Sequence, residues 1–110
     1  MAYDEELAAR IRDLVEGEPG LREQKMFGGL AFLVNGNMAV AASGQGGLLL
    51  HVDPEQTEAL LAEPHTDPFV MRGREMKGWI RVVADGVGTD AELQRWVDVG
   101  VGYARSLPPK

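Results

Sequence analysis

Basic and aromatic residues concentrate between positions 72 and 81, where they could bind an anion or a partner protein. Arg72, Arg74, Lys77 and Arg81 fall within this segment of a chain whose net charge is −6, and Trp79 lies among them. In an extended strand, Lys77, Trp79 and Arg81 would share one face. An indole between two cations can stack a base, bind a nucleotide phosphate or dock an acidic partner. The alternative is that Trp79 packs under a helix while the cations extend into water.

Two His-x-Asp repeats, at residues 51–53 and 65–67, contain side chains that can bind a metal ion. Asp53, however, stands directly before Pro54, where a helix cap is expected, and His65 falls in a predicted loop. No serine, histidine and acid grouping reads as a nucleophile system. We therefore expect no metal site, no cofactor, no catalytic residue and no enzymatic activity.

The pair Gly28-Gly29 could cradle an anion with exposed backbone amides. It lacks the Lys-Ser/Thr ending of a phosphate-binding loop, and it does not open a helix. We interpret it as a tight bend between two strands.

The composition is typical of one globular domain, residues 1–110, with 45% hydrophobic and 25% charged residues. The chain has no cysteine, which excludes disulfides and thiolate metal sites and fits a reducing cytoplasm. From the acidic residues at its start we expect no secretory leader, and no apolar run reaches the roughly 18 residues that would span a membrane. The negative net charge argues against direct binding to nucleic acid or to anionic lipid.

Hydrophobic periodicity predicts elements in the order α-β-β-β-β-α-β-β-α. The strands are expected at residues 21–27, 30–34, 38–43, 48–52, 69–71 and 78–84, with a loop at 65–68 and a turn at 72–74. Strands joined by hairpins and punctuated by helices predict an α+β fold with a largely antiparallel sheet.

Helix starts and apolar stripes define the three helices. Asp53 and Pro54 begin the short second helix, and a capping box at Thr89 begins the last. Gly100 and Gly102 lie inside the last helix, where the close approach of another backbone best explains both. The stripe of the first helix comprises Leu7, Ile11, Leu14 and Val15, and that of the last Leu93, Trp96, Val97, Val101 and Ala104.

The clearest hairpin surrounds Asn35-Gly36, which is the preferred two-residue type I′ turn. From this turn we predict the pairs Leu33 with Met38, Ala31 with Val40, Phe32 with Ala39 and Leu30 with Ala41. Both faces of the hairpin are then apolar, whereas a solvated antiparallel sheet has one polar face. We expect helices to cover one face, and a second copy of the chain in a homodimer is one candidate to cover the other.

Two runs, Lys25 to Met38 and Met76 to Trp79, resemble the signature of the TfoX/Sxy N-terminal domain family. These bacterial proteins are associated with regulation of natural competence. The acidic start and the closing Ala-Arg-Ser-Leu-Pro-Pro also find counterparts there. The motif residues are Met26, Phe27, Gly28, Gly29, Asn35, Gly36, Asn37, Met76, Lys77, Gly78 and Trp79.

The resemblance implies a compact α+β domain similar to the type III secretion chaperone-like fold. It implies a regulatory role and supplies no catalytic residues. Competence regulators of this family are thought to act with the cyclic-AMP receptor protein at particular promoters. Larger members carry a separate C-terminal domain, and this chain is expected to be a stand-alone N-terminal domain. Relatives often carry cysteines after Met38, whereas this chain has alanine and valine there, so no thiol role applies.

We therefore predict a non-enzymatic regulatory or adaptor domain that acts through protein–protein contacts, linked to transcriptional regulation of competence-type genes. Its partner would be a protein such as a transcription regulator. The alternative is a small-molecule or nucleotide-binding module, or an enzyme, with a pocket near Gly28-Gly29 and Lys77. The candidate partner surface comprises Arg72, Arg74, Lys77, Trp79 and Arg81.

Overall fold

A computed structural model, which describes residues 4–26, 28–44 and 46–109, has the predicted α+β architecture and element order. The helices are α1 (Glu5–Val15), α2 (Thr57–Leu61) and α3 (Asp90–Ser106), with 3₁₀ turns at Pro54–Gln56 and Ala84–Val87. The strands are β1 (Leu21–Met26), β2 (Gly29–Val34), β3 (Asn37–Ala42), β4 (Leu48–His51), β5 (Thr66–Met71) and β6 (Arg74–Val82).

The predicted cap begins α3, whereas the predicted start at Asp53 begins the 3₁₀ turn Pro54–Gln56 and not α2, which starts at Thr57. Helix α1 has a cap that was not predicted from the sequence. The Asp4 carboxylate accepts hydrogen bonds from the backbone N–H groups of Glu6 and Leu7, at 3.0 and 3.1 Å. Thr89 and Glu92 form the predicted reciprocal capping box of α3. Within the described parts of the chain, no helix has both the length and the apolar character needed to cross a bilayer.

One six-stranded antiparallel sheet runs in the order β1-β2-β3-β4-β6-β5. Helices α1 and α3 pack on one face of it, as predicted, through the stripes that begin at Leu7 and Leu93. Phe32, Leu50 and Ile80 are fully buried beneath them. This layer is the main core, and burial of its apolar side chains is the main force that holds the helices on the sheet.

The opposite face of the sheet is also buried, within one copy of the chain. Its cluster comprises Ala31, Leu33, Met38, Ala41 and Leu49, none of which is more than 8% exposed. Phe69 from β5 and Trp79 from β6 pack against this cluster. The expectation of two apolar faces is confirmed, and this face requires no second copy to cover it. Homodimerisation stays a prediction that this face does not support.

The hairpin turn forms as predicted, but a β-bulge shifts the pairing beyond it. Asn35 and Gly36 have φ angles of 55° and 85°, as a type I′ turn requires. Leu33 pairs with Met38, as expected. The other three predicted pairs are wrong, because β3 contains one extra residue opposite the step from Phe32 to Leu33. The observed pairs are Phe32 with Val40, Ala31 with Ala41 and Leu30 with Ala42.

The last two strands are longer than predicted, and the turn predicted at residues 72–74 is a two-residue hairpin connection. Arg72 and Gly73 form a two-residue connection with φ angles of 55° and 77°. β6 therefore begins at Arg74 instead of residue 78, and β5 begins at Thr66 instead of residue 69. Pro68 falls inside β5 rather than at its start, which is tolerated because β5 is an edge strand.

The two glycines of α3 have different surroundings. A Cβ on Gly100 would collide with the carbonyl oxygen of Ala39 and lie 3.1 Å from Cδ2 of Leu50. Gly100 therefore permits the close approach of α3 to β3 that we predicted. For Gly102 the same expectation is wrong, since among the described residues no atom outside the backbone of its own helix lies within 4 Å of a Cβ there.

We expect the substitutions Gly100→Ala and Gly102→Ala to have opposite effects on the free energy of unfolding. Gly100→Ala should destabilise the protein by about 1–3 kcal/mol, because the carbonyl of a central strand cannot move away from a new methyl group. Gly102→Ala should stabilise it by up to about 1 kcal/mol through helix propensity. Urea unfolding of the two variants measures both effects, and equal midpoints would contradict the packing described here.

Candidate functional site

Strand β6 contains a large bulge, formed by the four residues Met76-Lys77-Gly78-Trp79. Val70 of β5 pairs with Glu75, and Pro68 pairs with Ile80. The four residues from Met76 to Trp79 therefore lie opposite the single residue between Pro68 and Val70. Such a bulge bends the strand and changes the direction of its side chains.

Gly78 connects the bulge to the segment that contains α2. Its backbone N–H donates a hydrogen bond to Oγ1 of Thr57 at 2.9 Å, and its carbonyl accepts one from the N–H of Val52 at 2.8 Å. The φ of Gly78 is 90°, and a Cβ there would lie 3.3 Å from Cγ of Pro54 and from the Val52 carbonyl oxygen. Glycine adopts this positive φ without strain, and it has no Cβ that would crowd Pro54 and Val52.

Thr57 is a buried polar residue whose hydroxyl accepts one hydrogen bond and donates another. It is 6% exposed, and its Oγ1 donates to the Asp53 carbonyl oxygen at 3.3 Å. The hydroxyl therefore joins the first turn after Asp53 to the bulge of β6. A buried N–H without a partner is costly, so this bond fixes the position of Gly78 relative to α2.

Trp79 is the last residue of the bulge and packs against the apolar cluster on the second face of the sheet. Its ring stacks on His51 of β4, with centroids 4.2 Å apart and planes 16° from parallel. Phe69 lies 6.3 Å from the indole at a tilted angle. His51 is held in turn by Tyr103 of α3, in edge contact at 5.2 Å, and by the Met38 carbonyl oxygen, 3.3 Å from Nδ1. These contacts hold the half-buried indole in one position.

An open groove of about 310 Å³ lies between α2 and the β6 bulge. One wall comes from α2 and the other from the bulge, and Pro68 of β5 contributes to the lining. Met76 is 36% exposed in the groove. The lining residues are Thr57, Glu58, Leu61, Pro68, Glu75, Met76, Lys77 and Trp79.

The groove combines apolar surface with three exposed charged side chains, Glu58, Glu75 and Lys77. The ion pairs found among the described residues join Arg10 to Asp90, Arg12 to Glu23, Arg95 to Glu63 and Arg105 to Glu18. None of them involves a groove residue. The charged groups of the groove are therefore available to a ligand.

Of the predicted surface residues, Lys77 and Trp79 line the groove. Arg72 and Arg74 are exposed at the β5–β6 turn, and Arg81 lies in β6 opposite Leu49 of β4. The alternation predicted for this strand does not hold through the bulge. Met76, expected on the opposite face from Lys77 and Trp79, lines the same groove as both. The role of these residues as a partner surface stays a prediction.

Gly28 and Gly29 form no pocket with Lys77 in this groove. They lie at the β1–β2 connection, where Gly28 has a φ of 74° and a Cβ on Gly29 would collide with the Ala42 carbonyl oxygen. Strands β3 and β4 stand between β2 and β6 in the sheet. Phe27 of the motif lies outside the described residues.

The two His-x-Asp repeats have structural contacts. His51 stacks on Trp79, and the Asp53 carboxylate accepts a hydrogen bond from the Glu55 N–H at 2.9 Å. His65 has a φ of 68°, and its carbonyl accepts from the N–H of Val83. In the part of the chain that the structure describes, no three His, Asp or Glu side chains converge as a metal site would require.

Sequence reasoning missed five residues of the groove: the apolar Leu61 and Pro68, and the polar Thr57, Glu58 and Glu75. A polar residue directly after the Asp53-Pro54-Glu55-Gln56 start could have indicated Thr57 as an inward-facing contact. Nothing in the sequence indicates that Glu58 and Glu75 line the same groove, because this depends on how α2 lies against the bulge.

We expect Thr57→Val to lower the free energy of unfolding by about 1–3 kcal/mol, because it leaves the Gly78 N–H buried without an acceptor. Thr57→Ser keeps the hydroxyl and should cost less than about 1 kcal/mol for the lost methyl group. Urea unfolding compares the two variants. Equal losses of stability would show that the hydroxyl contributes nothing.

The comparisons with known proteins agree with the predicted resemblance. The family model for the TfoX N-terminal domain matches residues 13–104, from within α1 to near the end of α3. No curated protein and no solved structure shows a significant match to the chain, so similarity to the secretion chaperone-like fold stays a prediction. With the match covering most of its length, the chain belongs to the TfoX N-terminal domain family.

Proposed function

We propose that this chain is a regulatory adaptor domain that binds a partner protein at the groove between α2 and the β6 bulge. The observation that carries the proposal is the placement of the Met76-Lys77-Gly78-Trp79 motif. Met76, Lys77 and Trp79 line an open groove, while Gly78 holds it in shape. Met76 is 36% exposed where it lines the groove, so its apolar side chain is accessible to a partner.

The exposed apolar residues support the same surface. The large apolar side chains that are most exposed in the described structure are Val70 at 53% and Met76 at 36%, both on the β5–β6 hairpin. Arg72 and Arg74 are exposed at the tip of this hairpin. Methionine and arginine are enriched in protein interfaces. The hairpin and the groove together would form one contact surface.

Family membership supports a regulatory role, linked to transcription of competence-type genes, with a transcription regulator as the partner. We place this activity in the cytoplasm, which fits a chain without cysteine. Direct contact with nucleic acid is not needed, and the net charge of −6 opposes it.

We expect Met76→Ser combined with Trp79→Ala to weaken partner binding about tenfold or more, because truncated apolar anchors dominate such losses. The measurement is affinity capture from the host lysate at physiological salt, followed by titration of the captured regulator. Met76→Leu combined with Trp79→Phe keeps the apolar walls and serves as the matched control. Met76→Ser alone removes an exposed side chain and tests the groove without disturbing the core.

The proposal would be supported if the Met76→Ser, Trp79→Ala variant no longer captured a transcription regulator or polymerase component that the Met76→Leu, Trp79→Phe control still captured. Undiminished capture by a folded Met76→Ser, Trp79→Ala variant would contradict the groove assignment.

A small-molecule binding module is the second candidate, favoured by the groove volume of about 310 Å³, which is within the range of ligand pockets. A metabolite or nucleotide that binds the native state should raise the Tm of the wild type, and Met76→Ser should abolish this rise. A thermal-shift screen makes the measurement. Unchanged Tm values across the screen would count against this candidate.

A further inference from the structure

We infer that the groove binds a short segment of the partner protein that carries a large apolar side chain next to a lysine or arginine. The inference rests on the proposed adaptor function and specifies which partner segment the groove selects. It is carried by the apolar lining of the groove and by two carboxylates, Glu58 and Glu75, that form no ion pair with any other residue the structure describes.

The apolar part of the groove lining can accommodate one large apolar side chain. Leu61, Pro68, Met76 and Trp79 supply apolar surface from three separate elements. The indole is held by the His51 stack, so its face does not need to be ordered on binding. Met76 has a flexible, polarisable side chain that can adjust to the shape of the inserted group.

The charges of the groove favour a basic neighbour beside that apolar side chain. Glu58 comes from α2 and Glu75 from β6, so the two carboxylates belong to opposite walls. Lys77 is the single cation in the lining, so the groove itself has two carboxylates to one cation, while Arg72 and Arg74 lie outside its lining at the tip of the hairpin. The whole chain has a net charge of −6, which would also attract a basic segment from a distance.

The hydrogen bond between Thr57 and Gly78 holds the two charged walls together. Glu58 directly follows Thr57, and Lys77 directly precedes Gly78, so the 2.9 Å bond fixes the backbone beside both groups. A preformed pair of walls loses little freedom on binding, which favours selection by charge and shape. An acidic partner, which is one of the ligands that the sequence allows for the segment 72–81, would meet Glu58 and Glu75 in this groove.

The test uses random-sequence peptides displayed on phage, selected against the whole chain, with titration of the enriched peptides as synthetic probes. We expect enriched sequences that combine leucine, methionine or phenylalanine with lysine or arginine. Glu58→Gln combined with Glu75→Gln should weaken these peptides about tenfold, since two solvent-exposed charge pairs are lost. Lys77→Gln, a matched removal of the opposite charge, should leave binding unchanged or tighten it two- to threefold, roughly the size of one exposed pair.

Three results would overturn the inference. Enriched acidic peptides that lose binding with Lys77→Gln would reverse the charge preference and leave the adaptor function standing. Basic peptides that bind the Met76→Ser variant as tightly as the wild type would show a site outside the groove. Absence of any enriched peptide would reject the short-segment mode, and capture of intact partner proteins would then decide the adaptor function separately.

Discussion

The hydrogen bond from the Gly78 amide to the Thr57 hydroxyl is the constraint on which the groove depends. It joins a strand bulge to a helix of only five residues, which has too few internal bonds to hold its own position. The Gly78 carbonyl is used at the same time by the Val52 N–H. Two backbone groups of one residue thus determine where α2, the end of β4 and the bulge meet.

The aromatic contacts connect this groove to the rest of the molecule. Trp79 stacks on His51, which in turn contacts Tyr103 of α3. The same indole packs against the apolar cluster on the face of the sheet opposite α1 and α3. The indole that lines the groove is therefore in direct contact with the buried apolar cluster on the second face of the sheet. This arrangement explains how a small α+β domain can present a rigid concave surface without long loops.

Much of the fold could be predicted from the sequence, because caps, turns and apolar stripes are local. Asn35-Gly36 located the hairpin of β2 and β3, Thr89 the start of α3, and the stripe that begins at Leu7 located α1. The register of β3 could not be predicted, because both hairpin faces are apolar and a slip of one residue leaves no polar residue misplaced. The groove was found in part, through Lys77 and Trp79. Its carboxylates come from elements that meet only in the folded chain, so no local pattern indicates them.

The glycines beside β3 have a consequence for how far such a sequence can diverge. Gly29 from β2 and Gly100 from α3 each face a carbonyl oxygen of β3, those of Ala42 and Ala39. A crowded side chain can be exchanged for a smaller one in a later mutation, but a carbonyl is present whatever residue occupies the position. The requirement for glycine at these two places is therefore independent of which side chains the neighbouring β3 residues carry.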